Sequence, residues 1–431
     1  MTGGAGRRKC RPLTSEQVGR VVAQASENAL TVAHSAGSFP AVSVDADVWV
    51  DLSRLRHAGF SLEHDTITVE AGVRLRELLA AAERETRGLQ LYGLVPDLAV
   101  ADAIAVGLTG SSGGVARCLD SCRVVGPSGE VSSVSWSPEG GGRSLRELVC
   151  GLGCLGIVTS ATFRCGPLHL AEEYSYECST NELAGQLPRL SAALYADLYW
   201  FPLLDRVVVV HASAVRWRLA YRQPRWKRVL ETLHWGWFHA MNWLGPRLAW
   251  YWPSLACYLS QKQLEALGGA CRHRRNCCFR PYSLVSPARY CRGVRWVLPL
   301  DQLNAALLEL EDWAEMHPHL CCTPVLLSLQ ARDCGAAERV PLLAPRAGPS
   351  CAVWADWFDS RSITAGFSPA MAGLEALLQR RRGRKCWSAG PAYASPLIGQ
   401  TYPGFAAWLR ARLAADPGHT LRSAYVAGEL C

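Results

Sequence analysis

The amino-terminal stretch, MTGGAGRRKCRPLTSEQ, has no apolar run that could act as a secretory signal. The chain is therefore expected inside the cell, with its 18 cysteines reduced rather than joined in a disulfide framework. No two cysteines have CxxC spacing, and the adjacent pairs Cys277-Cys278 and Cys321-Cys322 do not make up for it, so no metal site is expected. Most of the cysteines are expected as small core residues. Aromatic residues do not interleave with the basic runs. The clearest run, RRRGRK from Arg380 to Lys385, is read as a solvated loop, which leaves nucleic acid out of the expected partners. A clean membrane-spanning run is also missing. The most aromatic segment, Trp226 to Leu259, is broken by Pro246 and Pro253, and its Glu231, His234, His239 and Arg247 would each need a partner in hydrocarbon.

What is present belongs to a globular protein. At 431 residues, with 49% hydrophobic and 19% charged residues, the chain exceeds what one hydrophobic core supports, and two domains are expected. The net charge of +8 is spread along the chain apart from short basic runs, so it marks no single binding surface.

The first half alternates short apolar runs with turn signals. Val48 to Leu52 and Ile67 to Val69 read as strands, and Val73 to Glu85 as a helix with Leu75, Leu78 and Leu79 on one face. Arg123 to Val134 has a hairpin pattern, with Pro127 to Gly129 as its turn, and Gly156 to Arg164 reads as an apolar strand. Ser137 to Gly142 reads as a surface loop, and Gly166-Pro167 as the domain boundary. Beyond it, strand-like runs occupy Tyr199 to Pro202 and Val207 to His211. Then come Trp235, Trp237, Trp243, Trp250 and Trp252. This segment fits a helix lying in a membrane interface, and it fits an aromatic core or a protein contact equally.

Four stretches together resemble the FAD-dependent aldonolactone oxidases, the family that includes L-gulonolactone oxidase, within the vanillyl-alcohol-oxidase type of flavoprotein. They are RPLTSEQV (Arg11 to Val18, with Ser15 as a reasonable N-cap), ITVEAGVRLREL (Ile67 to Leu78), LGCLGIVTSATFRC (Leu152 to Cys165), and a series in the second half. That series runs from YWFP at Tyr199 through MHP at Met316 to TYPGF at Thr401, Asp416-Pro417 and Tyr425. The third stretch is the most specific. The resemblance implies an α+β fold of two domains: an FAD-binding domain over residues 10–166 and a sugar-lactone-oxidase-like domain over 167–431. It covers roughly Arg11 to Val426, and the amino-terminal end looks short, without the strand that usually precedes the first helix.

The resemblance also implies a chemistry. FAD takes a hydride from the carbon bearing the hydroxyl beside the lactone carbonyl, and oxygen reoxidises the flavin to give peroxide, so sugar lactone and oxygen are the implied partners. The protein must supply a glycine-rich cradle whose N–H groups meet the pyrophosphate. Relatives use two glycines around a variable residue, then His-Ser, and that His can carry the flavin covalently. Here the stretch is TVAHSAGSFP, Thr31 to Pro40, and two registers remain open. His34-Ser35 can match the His-Ser, which keeps the covalent anchor and loses both glycines. Alternatively Gly37-Ser38 match it, and the anchor is lost. In the second flavin loop, Ala101 to Gly114, Ala101 and Asp102 stand where relatives have a glycine pair, while Gly107, Gly110, Gly113 and Gly114 remain. A carboxylate at Asp102 would repel a pyrophosphate unless it pointed to solvent. Gly153 and Gly156, ahead of Ile157, are expected to let the backbone pass close to the cofactor.

The catalytic part is altered. Relatives place a Glu and an Arg two apart after a Pro-Val pair, whereas TPVLLSLQARD has Leu326 and Ser328 there, and no carboxylate occurs between Pro318 and Asp333. Of the family's His-Trp-x-Lys-x-His run only Trp387 remains, and Ser423 stands for an Asn near the flavin. Three readings follow: a lactone oxidase with a rearranged site, a flavin-binding protein with weak or different activity, and a non-catalytic scaffold for a membrane or a protein, with the endoplasmic reticulum membrane as the implied location. No general base is assigned. The residues expected at the cofactor are His34, Ser35, Gly37, Gly107, Gly110, Gly113, Gly153, Gly156 and Ile157.

Overall fold

The computed structural model describes residues 8–37, 46–61, 63–89, 91, 97–111, 113–136, 143–168, 170–215, 233, 236–237, 240–241, 244–245, 247–249, 251–270, 274–276, 291–318, 320–330, 339–346, 348–358, 369–387 and 398–423. The loop at Ser137 to Gly142, Tyr425, and Trp235, Trp243 and Trp250 lie outside these residues.

A small parallel sheet opens the fold. Its strands β1 (Arg8–Cys10), β2 (Val32–Ser35), β3 (Val48–Asp51) and β21 (Leu421–Arg422) lie in the order β1-β3-β2-β21. Strand β1 corrects the expectation that this end lacks a strand before the first helix. Arg-Lys-Cys has no apolar alternation to announce it. It is held by register against Val48 to Val50 and by Lys9 and Arg11, which both reach Asp51, at 3.2 and 3.1 Å. Helix α1 (Ser15–Glu27) follows, and its N-cap is Thr14 rather than Ser15. The Thr14 hydroxyl accepts the Gln17 N–H at 3.2 Å, while the Ser15 hydroxyl donates to Thr159 at 2.9 Å.

The second sheet has the order β10-β9-β11-β5-β4, with β4 (Ala58–Ser61), β5 (Thr66–Glu70), β9 (Leu119–Val125), β10 (Val131–Ser135) and β11 (Ile157–Arg164). β9 and β10 are the expected hairpin, in register from Val125↔Val131 to Ser121↔Ser135. The expected helix is α2 (Leu75–Arg84), whose buried face is Leu75, Leu78, Leu79 and Ala82. The Gly166-Pro167 pair forms a two-residue strand, β12, against β6 (Arg87–Gly88).

Eight strands build the largest sheet: β13 (Leu170–Cys178), β14 (Tyr195–Phe201), β15 (Arg206–Val215), β16 (Arg274–Asn276), β17 (Cys291–Pro299), β18 (Val325–Gln330), β19 (Ser350–Phe358) and β20 (Arg384–Lys385), in the order β16-β13-β15-β14-β18-β19-β17-β20. Side chains alternate between its faces. Leu198, Trp200, Val207, Val209, Leu327 and Val353 pack under helices that contribute Leu183, Leu187, Leu307, Leu310 and Leu374. Tyr199, Phe201, Val208, Val210, Leu326 and Trp354 pack on the opposite face, in one core with the first two sheets. Burying each such large side chain contributes about 1.5–3 kcal/mol, so the two faces together tie helices, sheet and first domain into one body.

The basic run Arg380 to Lys385 is not a solvated loop. It spans a helix end, a turn and strand β20, with Lys385 buried and its ammonium 2.6 Å from Glu375. Arg381 and Arg382 pair with Glu309 and Asp301. Among the described cysteines, Cys118, Cys122, Cys150, Cys178, Cys321, Cys322, Cys351 and Cys386 are buried. Burial pushes the Cys122, Cys351 and Cys386 thiols up, Cys386 to about 12, which makes them packing residues rather than nucleophiles.

Candidate cofactor cleft

Three chain segments converge at the end of β2. The first is β2 with the residues just after it. His34 and Ser35 belong to the strand itself and are buried, and Ala36 and Gly37 leave it, Gly37 with φ +77°. In this placement His34 is a strand residue and Gly37 lies in the turn that follows. The His34 Nε2 lies 3.1 Å from the Gly153 carbonyl, and since a carbonyl only accepts, that nitrogen carries the proton. Burial holds the imidazole below its ordinary pKa, against the smaller opposing effects of the Gly153 hydrogen bond and the Asp102 charge.

The second segment is helix α3 (Val100–Ala105) with the turn that follows it. Asp102 is fully buried and points at the β2 loop: its Oδ1 accepts the Ala36 N–H at 2.9 Å and lies 3.5 Å from the Ser35 hydroxyl. The next loop N–H, that of Gly37, is taken by the Ser35 Oγ at 2.9 Å. Beyond α3, Gly107 has φ +57°, and Gly110 pairs with Gly113 where β7 (Thr109–Gly110) meets β8 (Gly113–Gly114). Between those strands the Ser111 hydroxyl is buried with no hydrogen-bond partner among the described residues.

The third segment is Cys150 to Gly156. The Cys150 and Leu152 N–H groups donate to the Ile104 and Ala105 carbonyls, which ties this turn to the end of α3. Gly153, at φ +77°, is required by His34: a Cβ there would sit 2.6 Å from its Nε2. At Gly107 a Cβ would meet the Cys150 Sγ, and at Gly156 the Val124 side chain. At all three glycines the absent Cβ leaves room for the chain's own packing. Ile157 starts β11, fully buried, opposite Val125.

The fit to a flavin dinucleotide is thus uneven. Left-handed turns at Gly37, Gly107 and Gly153 and the leftover Ser111 hydroxyl suit a bound cofactor with phosphates. At one point the loop's donor is already taken: the Ala36 N–H is held by the Asp102 carboxylate.

The cap face adds a residue the sequence reading missed. Asp197, on β14 in phase with Tyr199 and Phe201, is 2% exposed, and its Oδ1 accepts the Ser328 hydroxyl at 2.7 Å. Ser328 is one of the two positions where the resemblance implied a catalytic side chain, and a carboxylate does lie beside it, supplied by the neighbouring strand. The signal was an acid inside the apolar run YADLYWF, 131 residues away. On the same sheet Arg295 stacks 4.9 Å from the Trp354 ring. Trp387 donates to the Leu343 carbonyl at 2.8 Å and packs 4.9 Å from Tyr402. Arg332 and Ser388 to Pro391 lie outside the described residues. Ser423 is buried just after β21, whose register is Val32↔Leu421 and Ala33↔Arg422.

The Trp226 to Leu259 segment shows two sides where it is described. Ala249, Ala256 and Leu259 are buried against Cys322, whereas Leu233, Trp237, Leu244, Tyr251, Trp252, Leu255 and Tyr258 are exposed. Among the described residues no helix is long and apolar enough to cross a membrane, and no group of three or more His, Cys, Asp or Glu could hold a metal ion.

Comparison with known proteins assigns both halves. Residues 8–135 match the family model described as FAD binding domain, and residues 161–428 match that of D-arabinono-1,4-lactone oxidase. The chain is 28% identical over 256 residues to D-arabinono-1,4-lactone oxidase of Yarrowia lipolytica, covering 57% of this chain and 47% of the relative. It is 25% identical over 265 residues to L-gulonolactone oxidase of Mus musculus, covering 59% and 57%. With L-gulonolactone oxidase of Scyliorhinus torazame the match is 24% over 386 residues, covering 84% and 81%. The first two matches thus span about half the length of those relatives. Among solved structures, a solvent-stable cholesterol oxidase superposes with TM-score 0.69 at 14% identity, over 96% of this chain and 92% of that one. Cholesterol oxidase from Brevibacterium sterolicum, as its His121Ala mutant, gives 0.66 at the same identity and coverage. The fold is accordingly that of a two-domain vanillyl-alcohol-oxidase type flavoprotein.

Proposed function

Because the chain belongs to the D-arabinono-1,4-lactone oxidase family, we propose that it is an FAD-dependent oxidoreductase acting on an aldonolactone, with oxygen as acceptor, at a turnover limited by its altered site. The observation that carries this reading is the convergence of Ser35–Gly37, Ala101–Gly114 and Cys150–Gly156 at one buried place, inside a domain of the FAD-binding kind. FAD, when bound, supplies the hydride acceptor. The residues proposed to hold it are His34, Ser35 and Gly37, the loop Gly107, Gly110, Ser111 and Gly113, and the turn Gly153, Gly156 and Ile157. His34 already gives its Nε2 proton to Gly153 and is 2% exposed, which favours noncovalent FAD. Asp197 is proposed to orient the substrate hydroxyl, in place of the charged pair that Leu326 and Ser328 have lost. The division into residues 10–166 and 167–431 is proposed with it.

The test is the visible spectrum of the purified protein before and after acid precipitation, followed by lactone-dependent peroxide release with FAD supplied. A flavin band released by acid, with slow peroxide formation that Asp197→Asn reduces at least about tenfold, is the expected outcome. Protein that stays colourless in excess FAD would sink the reading.

The exposed aromatic side chains favour a second element. We propose that Trp237, Tyr251, Trp252 and Tyr258 rest on a membrane surface, that of the endoplasmic reticulum, since rings at a headgroup boundary bury an apolar body and keep a polar tip wet. Equal sedimentation of the wild type and a Trp237→Ser, Trp252→Ser double variant with phosphatidylcholine–phosphatidylserine vesicles would exclude it.

A further inference from the structure

We propose that Asp102 is a tethered competitor of the cofactor: its carboxylate occupies the pyrophosphate position of the β2 loop, so that FAD binds only by displacing it. This rests on the reading of residues 8–135 as an FAD-binding domain. Three observations carry it. The Asp102 side chain is fully buried, so it is not a surface acid that happens to lie near the loop. Its Oδ1 accepts the Ala36 N–H at 2.9 Å and lies within reach of the Ser35 hydroxyl, an arrangement of donors around one anionic oxygen that a phosphate would use in the same way. The next donor of the loop, the Gly37 N–H, is likewise taken within the chain, by the Ser35 Oγ.

One N–H cannot serve two anions, and a carboxylate left in a dry cleft beside a pyrophosphate repels it. Binding therefore has to rotate Asp102 away from Ala36, or shift α3, before the loop can close on phosphate. Two consequences follow for the empty protein and the loaded one, with opposite signs. Without FAD, Asp102 stabilises the loop, because it satisfies a buried donor that would otherwise be orphaned. With FAD, the same contact is lost and subtracts from affinity. The effect is specific to the phosphate end of the ligand, so a flavin without phosphate escapes it.

The experiment measures dissociation constants for FAD and for riboflavin by flavin fluorescence, together with the melting temperature of the ligand-free protein, in wild type, Asp102→Gly and Asp102→Asn. Asp102→Gly is expected to bind FAD about tenfold or more tightly than wild type, to bind riboflavin unchanged, and to melt lower without ligand. Asp102→Asn keeps an acceptor for Ala36 and removes the charge, so it should fold as wild type does and still gain FAD affinity; it covers the case in which the glycine variant fails to fold. Equal FAD affinity in wild type and both variants would overturn the competitor while leaving the FAD domain intact. Absence of FAD binding in all three would overturn the FAD-binding reading itself, and the competitor with it.

Discussion

Strand β2 has a buried aspartate at each end, and the two do opposite things. At its start, Val32 pairs with Leu421 of β21, and that pairing is pinned by Asp416, whose two oxygens accept the Thr420 and Leu421 N–H groups at 2.9 and 2.8 Å. At its finish, Asp102 accepts the Ala36 N–H at the same 2.9 Å. Both carboxylates are almost wholly buried, at 1% and 0% exposure. Asp416 closes a turn whose donors have no other use, so it builds the sheet. Asp102 closes a loop whose donor, on the proposal above, belongs to a ligand. Hydrogen-bond geometry alone does not separate a structural acid from an occluding one; what else could claim the donor does.

The contrast can be broken most directly at Asp416. Asp416→Ala orphans two buried donors at about 1–3 kcal/mol each, so the ligand-free protein should lose about 2–6 kcal/mol of stability, and FAD affinity should fall rather than rise because β21 detaches from β2. A denaturation midpoint matching wild type would mean that the turn holds without it. A smaller effect is expected at Gly153→Ala. The left-handed backbone alone costs a residue with a Cβ about 1–2 kcal/mol, and the collision with His34 adds to it. Thermal melting checks this, and His34→Ala in the same chain should recover part of the loss.

The smallest expected effect is on pH. Burial lowers the His34 pKa in the folded chain below its ordinary value of 6.5, and it lowers that of His211 as well. As pH drops below that value the unfolded chain binds protons first. Stability is therefore full above the ordinary histidine value and declines as pH falls through it towards the folded value. Urea midpoints measured from neutral to mildly acidic pH should fall, and less so in His34→Gln. A pH-independent midpoint would show that His34 protonates equally in both states.

Much of this fold is legible in the residues, because its signals are local. The β9–β10 hairpin, helix α2 and strand β11 announce themselves by periodicity and turn residues within a dozen positions. Strand β1 does not, since three polar-flanked residues acquire strand geometry only from β3. The cap of α1 was displaced by one residue because Thr14 and Ser15 are both good caps, and only the contact of Ser15 with Thr159 decides between them. The site was half legible: the altered positions at Asp102, Leu326 and Ser328 stood out against the family pattern, but their partners did not. Asp102 meets Ala36 across 66 residues and Asp197 meets Ser328 across 131. Nothing in the local sequence states which way a buried acid will point.

The place of β21 beside β2 has a consequence for how the protein is made. The sheet that carries the phosphate-type loop contains strands from the first fifty-one residues and one from Leu421–Arg422. During synthesis β2 remains an open parallel edge, available to any extended neighbour, until nearly the whole second domain has left the ribosome. The amino-terminal domain begins to fold first and is the last to be completed.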